Sequence, residues 1–209
     1  MKNTQVQTMK PINLFTAKSL TSIGVMAAMS CVLMFIKFPI AYIGFLELEL
    51  SDVPAMLCAL TYGPMAGVFV ELIKNLIHMM ATSTATVGEI ANFTISSSYI
   101  LGVSLVYKYS KSSKKQFYGY FVGTLSLIIA GVVINYFITL PMYIQLYFGG
   151  NEGALYGMAG AMIPAIQDMK TLLLLGFVPF NLVKGIFVSI ATYYVWNVFH
   201  KYTLNSTNK

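Results

Sequence analysis

The sequence predicts an all-α integral membrane protein with about six transmembrane helices. Three observations carry that prediction. Of the 209 residues, 57% are hydrophobic and only 10% charged, with a mean hydropathy of +0.71, whereas an ordinary soluble domain is about 25% charged. Six spans of roughly 20 residues with short loops fill this length and leave no room for a soluble catalytic domain. The lysines, finally, collect on one side of such a topology. The net charge of +6 therefore reads as a topological signal. It is not a basic patch interleaved with aromatics of the kind that binds nucleic acid.

The chain reads as a single membrane domain: a polar tail over 1–18, a helical bundle over about 19–199 and a second polar tail over 200–209. The first span is Leu20 to Phe38, closed by Lys37-Phe38-Pro39. A basic start before an apolar run outlines a signal peptide, but no small-residue cleavage site follows and Ala28-Met29-Ser30-Cys31 is a poor lipoprotein box. The helix is expected to stay as an anchor. Glu47-Leu48-Glu49-Leu50-Ser51 alternates polar and apolar residues, the period of an extended or re-entrant loop. Asp52-Val53-Pro54 opens a short second span, with Asp52 as N-cap and Pro54 near the first helical position. Tyr62-Gly63-Pro64 ends it with a turn. The third span, about Met65 to Ala81, contains Glu71, Lys74, Asn75 and His78. After the polar loop Thr82–Gly88, a fourth span runs from about Glu89 to Tyr107. Lys108 to Lys115 is a linker with four lysines and no acid. The fifth span covers about Phe117 to Leu140, with Pro141 near its outer end. Phe148 to Gln167 is glycine-rich and reads as a partly helical outer loop. The sixth span is about Leu172 to Phe199.

Lysine placement sets the orientation, because cytoplasmic loops are enriched in Lys and Arg. Six spans put both termini and the linker on one side, which holds Lys2, Lys10, Lys18, Lys108, Lys111, Lys114, Lys115, Lys201 and Lys209. The acids Glu47, Glu49, Asp52, Glu71, Glu89, Glu152 and Asp168 fall on the other side or within a span. Both termini are expected in the cytoplasm, and the acids mark the outward surface where a ligand enters. Cys31 and Cys58 lie in apolar stretches without metal-ligand spacing and read as small buried hydrophobes.

Lys184 is the most informative residue. It lies deep in the last apolar run, one helical turn after Asn181, in Pro179-Phe180-Asn181-Leu182-Val183-Lys184-Gly185. A cation near mid-membrane costs roughly 2.5–3.5 kcal/mol on insertion scales and faces a partner or a wet cavity. An (i, i+3) pair shares one helix face; the ammonium only donates, whereas the amide donates and accepts. Such a pair suits a small polar ligand, with Gly185 clearing space beside it. Glu71 and Lys74 stand one turn apart, either as an internal salt bridge that makes insertion tolerable or as part of a ligand-contacting network. Asn75 and His78 extend the same stripe. His78 has no second His or Cys at ligand spacing and reads as a packing residue, not a metal ligand. Asn92 and Asn135 are lone amides in apolar helices, available for interhelical hydrogen bonds or for a ligand. Gly24 and Ala28 permit close helix approach, within the bundle or to a partner subunit. The sequence has no G-x-x-x-x-G-K-[ST] loop and no persuasive catalytic set. The chain is expected not to be an enzyme, and any pumping needs energy from elsewhere.

Several strings together resemble the riboflavin-specific S component of energy-coupling factor (ECF) transporters. They are Glu49-Leu50-Ser51-Asp52-Val53-Pro54-Ala55, Gly63-Pro64 followed by Glu71-Leu72-Ile73-Lys74-Asn75-Leu76, Val87-Gly88-Glu89-Ile90-Ala91-Asn92-Phe93, Asn135-Tyr136-Phe137, and Pro179 to Gly185. The resemblance runs from about Ser19 to Phe199. It implies six helices, both termini inside, and a vitamin site near the outer face capped by the loop after the first helix. It implies a multi-pass protein of the cell membrane with riboflavin as transported ligand and no resident cofactor. The implied partners are the lipid bilayer and an energy-coupling module of one transmembrane coupling protein and two cytoplasmic ATPases. By the same resemblance Asn181, Lys184 and Asn135 contact the flavin ring. The small-residue motif of the first helix, here Gly24 and Ala28, docks the coupling protein; Gly24 stands where the family usually has alanine.

Riboflavin's chemistry fits these residues. Its pyrimidine edge carries two carbonyls and an N–H, so it needs donors and an acceptor. Its dimethylbenzene end needs apolar walls, and its ribityl hydroxyls need polar groups such as those of Glu47 to Asp52. The substrate-binding candidates are Asn181, Lys184, Asn135, Asn92, Asp52, Glu47, Leu48, Phe45, Glu71 and Asn75. Three alternatives stay open: an S component for another vitamin, a stand-alone proton-coupled permease with Glu71 as proton carrier, and a membrane-embedded enzyme using Glu71, Lys74 and His78.

Overall fold

The structure, a computed structural model, describes residues 14–36, 41–42, 46–82 and 84–206. Phe45 and the Lys37-Phe38-Pro39 stop lie outside the described residues. Helix α1 (Ala17–Phe35) begins where Thr16 Oγ1 accepts the Ser19 N–H at 3.2 Å, an N-cap. Its buried stripe, Ser19, Ile23, Ala27, Ser30 and Met34, recurs every three or four residues and faces inward. Gly24 and Ala28 lie on the opposite, exposed face. A two-residue hairpin follows, β1 (Ala41–Tyr42) antiparallel to β2 (Leu46–Glu47), with Tyr42 opposite Leu46. Of the period-two stretch Glu47–Ser51, only Glu47 lies in a strand; Leu48 and Glu49 are irregular, and the chain bends at Leu50 and turns at Ser51 into the next helix.

Helix α2 (Asp52–Tyr62) is buried almost all round, as a helix with apolar residues on every side must be. Its cap differs from expectation. Ser51 is the N-cap and makes no side-chain capping bond, its hydroxyl accepting instead from Lys74 Nζ at 2.7 Å, while the expected cap Asp52 is the first helical residue and its carboxylate is engaged by Lys74 and Lys184. Gly63, at φ +105°, makes the sharp turn into α3 (Pro64–His78), a conformation that costs glycine little. A 3₁₀ turn, Met79–Ala81, extends α3. Helices α4 (Val87–Tyr109) and α5 (Lys115–Ile134) form the most extensive helix pair, with Gly102 packed against Gly123.

Both remaining long helices contain a π-turn. Helix α5 passes through Asn135–Thr139 into α6 (Leu140–Phe148), and α8 (Met169–Thr171) passes through Leu172–Phe177 into α9 (Val178–Ser206). A proline follows each π-turn closely, Pro141 and Pro179. Proline cannot donate the i→i−4 bond and its ring crowds the preceding turn. The wider π-turn relieves that crowding and the helix continues. Helical structure therefore persists past Leu140 to Phe148.

The segment Phe148–Gln167 closes the end of the bundle opposite the Lys108–Lys115 linker. Gly149 and Gly150, both at positive φ, reverse the chain into α7 (Glu152–Gly160). Leu155, Ala159 and Ile166 pack with Leu140, Ile144, Leu172, Leu173 and Phe177, and Tyr42 and Leu46 of the hairpin lie against this cluster. A second, larger core joins α1 to α5 and α9 around Ala27, Met56, Val70, Tyr99, Leu127 and Val188.

Among the described residues, four stretches are long and apolar enough to cross a bilayer: Ala17–Phe35, Val87–Tyr109, Lys115–Phe148 and Met169–Val198. The chain is a multi-pass membrane protein. Helices α2 and α3, with 11 and 15 residues, are shorter than the roughly 20 residues of a full crossing; α2 is enclosed by its neighbours, whereas α3 keeps one face exposed at Leu72, Leu76 and Ile77.

Candidate functional site

A cleft of about 180 Å³ opens between the hairpin, the α3–α4 turn, the two π-turns and the start of α9. Of the residues singled out from sequence, it brings together Glu47, Asn92, Asn135, Asn181 and Lys184 on its walls. The π-turns position two of these. Asn135 begins the first π-turn, and its Nδ2 donates to the Gly131 carbonyl at 2.6 Å. Asn181 Nδ2 donates to the carbonyl of Phe177, the last residue of the second, at 2.9 Å. A carbonyl only accepts, so each amide must turn its nitrogen to its own helix and keep its oxygen for other donors. A Cβ on Gly131 would collide with the Asn181 amide, so this glycine is what lets α5 and α9 bring their amides together.

Lys184 sits where the cleft meets a buried charge network. Its Nζ lies 3.2 Å from Asp52 Oδ2 and 3.4 Å from Ser96 Oγ, and Ser96 Oγ donates to the same carboxylate oxygen at 3.1 Å. Behind it, Lys74 Nζ contacts Asp52 Oδ1 at 2.5 Å, Ser51 Oγ at 2.7 Å and Glu71 Oε2 at 2.9 Å. Asn75 Nδ2 donates to the Glu71 carbonyl at 2.8 Å. Asp52, Glu71 and Lys74 are each 0% exposed. Two ammonium groups thus face two carboxylates, the pairing that burial of charge requires. Asp52, Glu71 and Asn75 stand behind the wall and do not line the cleft. Leu48 is half-buried beside it, also off the wall. Gly185 does not clear space for a ligand; a Cβ there would lie 2.7 Å from Thr124 Cγ2 of α5, so it serves helix packing.

The loop side is held by polar contacts of its own. Glu49 lines the cleft and its Oε1 accepts from Asn92 Nδ2 at 3.0 Å, while Asn92 Oδ1 is buried without a partner. At the rim, Glu89 Oε1 meets His78 Nδ1 at 2.9 Å, and Glu89 Oε2 accepts from the hydroxyls of Thr84 at 2.9 Å and Thr82 at 3.0 Å. The Phe35 ring lies 5.0 Å from that of His78. His78 is thus part of a closed polar latch, and among the described residues no three potential metal ligands cluster.

Sequence reasoning missed Thr139, Tyr143, Phe177 and Phe180, all on the cleft wall. Phe177, Asn181 and Lys184 share a helical face by spacing, a signal that could have found the first. Thr139 and Tyr143 lie within and beyond a π-turn, where that spacing no longer predicts a face.

Tyr42 ties the hairpin over the site. Pro179 cannot supply the helical bond to the Leu175 carbonyl, and the Tyr42 hydroxyl donates to that oxygen at 2.9 Å. The Tyr42 and Phe180 rings stack with centroids 6.4 Å apart. Tyr42→Phe removes one hydrogen bond worth about 0.5–1.5 kcal/mol. It is expected to raise the ligand dissociation rate about twofold to tenfold in stopped-flow measurements while leaving the association rate nearly unchanged. An unaltered dissociation rate would show that the hairpin does not hold the ligand.

Fold and cleft define a polytopic membrane protein built around a small polar site lined by amides, an ammonium group and aromatic rings. The family model of the ECF transporter substrate-specific component matches residues 18–196, and the chain belongs to that family. Among relatives, the riboflavin transporter RibU of Staphylococcus aureus (strain TCH60) is 35% identical over 182 residues, 87% of this chain and 89% of that one. The riboflavin transporter FmnP of Bacillus subtilis (strain 168) is 30% identical over 179 residues, 83% of this chain and 87% of that one. A solved S component of a bacterial ECF transporter superposes with a TM-score of 0.72 at 33% identity, covering 89% of this chain and 97% of that chain.

Proposed function

We propose that this chain is the riboflavin-binding subunit of an ECF transporter of the cell membrane. It captures the vitamin on the outer side and hands it inward with an energy-coupling module of one transmembrane coupling protein and two ATPases. The observation that carries the reading is the cleft wall itself. Lys184 offers donors, Asn92 Oδ1 offers a buried acceptor without a partner, and Asn135 and Asn181 present amides beside Phe177 and Phe180. Those groups complement the carbonyls and N–H of a flavin's pyrimidine edge and the flat apolar body behind it. Relatives named as riboflavin transporters support the same ligand. Site discrimination then comes from pairing, since an unmatched buried polar group costs several kcal/mol. Capture of a scarce vitamin calls for nanomolar affinity, about −12 kcal/mol.

In this reading α2 and α3 complete a set of six helices with α1, α4, α5 through α6, and α9, with both termini inside. The hairpin after α1 caps the cleft, with Leu48 half-buried in the chain that follows it. Asp52, Glu71 and Asn75 support the wall from behind. The test is to purify the chain alone in detergent and titrate it with riboflavin. A yellow preparation, or saturable quenching near one flavin per protein, supports the proposal; untouched flavin fluorescence overturns it and turns attention to other vitamins.

Docking of the coupling protein belongs to α1. A Cβ on Gly24 meets nothing within 4 Å, so substitution there leaves the bundle undisturbed. Gly24→Leu is expected to keep riboflavin affinity within about twofold, a change of roughly 0.4 kcal/mol, and to abolish ATP-driven uptake in reconstituted vesicles. Normal uptake by that variant would remove α1 as the docking face.

A further inference from the structure

We infer that a groove between α5 and α9 is a binding site for one anionic phospholipid from the leaflet on the side of the Lys108–Lys115 linker. The groove encloses about 640 Å³ and is walled by Phe117, Phe121 and Leu125 on α5 and Ile186, Ile190 and Tyr194 on α9. All six side chains are exposed on the protein surface, and in a membrane that surface meets lipid. Its length selects the occupant. From Phe117 to Ile128 the groove follows α5 for about 17 Å at 1.5 Å per residue, and one leaflet's share of the hydrocarbon core is about 15 Å. That is the reach of a single acyl chain lying alongside the helices.

Charge selects the headgroup. Lys115 opens α5 two residues before Phe117, and Lys111 and Lys114 precede it in the linker, so the three lysines gather at the Phe117 end of the groove. No carboxylate pairs with Lys111, Lys114 or Lys115 among the described residues. Lys115 Nζ is held 4.1 Å over the Tyr107 ring at the same end. Lysines that served only as topology signals would need no groove beneath them, and a groove filled by any lipid would need no cluster of cations. The two features coincide at one end of one helix. Tyr193 and Tyr194, half-exposed or more at that end, suit the interfacial level where aromatic side chains meet headgroups.

The test uses the complete chain in nanodiscs holding equal amounts of dioleoylphosphatidylglycerol and dioleoylphosphatidylcholine, followed by native mass spectrometry. The expected result is one retained lipid, with phosphatidylglycerol favoured about tenfold. The variant Lys111→Gln, Lys114→Gln, Lys115→Gln is expected to bring that ratio close to one while still retaining a lipid and keeping flavin affinity. Filling the groove with Leu125→Trp and Ile190→Trp is expected to lose retention of both lipids. A wild-type ratio near one would overturn the site, as would a ratio that survives the lysine substitutions. Displacement of the lipid by glycerol 3-phosphate alone would show a free-anion site and overturn the role of the groove.

Discussion

Replacing Lys74 by methionine is expected to lower the stability of the folded chain by about 3–5 kcal/mol, the usual loss when one partner of a buried charge network is removed. Methionine keeps much of the aliphatic stem but leaves Asp52 with Lys184 and Ser96 alone, and Glu71 with no cation. Both carboxylates are fully buried, so water cannot take the place of the missing ammonium. Thermal unfolding of purified protein in detergent reads the loss, and the double variant Lys74→Met with Glu71→Gln should recover part of it by discharging the stranded carboxylate. A melting temperature for Lys74→Met equal to that of the parent would mean the network does not hold α2 and α3 together.

The second large effect falls on ligand affinity. Lys184→Ala and Asn181→Ala are each expected to weaken riboflavin binding at least tenfold, about 1.4 kcal/mol. The folded state should suffer less than in Lys74→Met, because Asp52 keeps Lys74 and Ser96 when Lys184 is removed. Fluorescence titration and a melting curve on the same samples separate the two readouts. Unchanged affinity in both variants would take the flavin away from this wall.

Much of this architecture was legible because membrane helices announce themselves by composition. The spans read from hydropathy coincide with α1, α4 and the body of α9, and Tyr62-Gly63-Pro64 marked the junction between α2 and α3. Asn181 and Lys184 were legible because polar side chains within an apolar run must be partnered, and both line the cleft. Asp52 was harder to place. In sequence an Asp before a helix looks like a cap, and only the fold brings Lys74 and Lys184 from two other helices to either side of it. Glu71 and Asn75 face a partner one turn away rather than the cleft, which spacing along one helix cannot distinguish from a ligand-facing stripe. The reach of α5 past Pro141 was hidden because a proline ordinarily stops a helix, and the π-turn that accommodates it has no signature in composition.

Those two π-turns can also be read as insertions. A helix that accommodates one surplus residue as a bulge shifts the angular phase of all that follows by about 100°, the turn per residue of an α-helix. Each of the two cleft-lining helices that carries a π-turn is therefore two shorter helices joined out of phase. Excising one residue from Asn135–Thr139 would leave a continuous helix of ordinary hydropathy, still able to cross the membrane, while swinging Tyr143 around the helix relative to Asn135. The bilayer would scarcely register such a deletion, and the binding site would be dismantled by it.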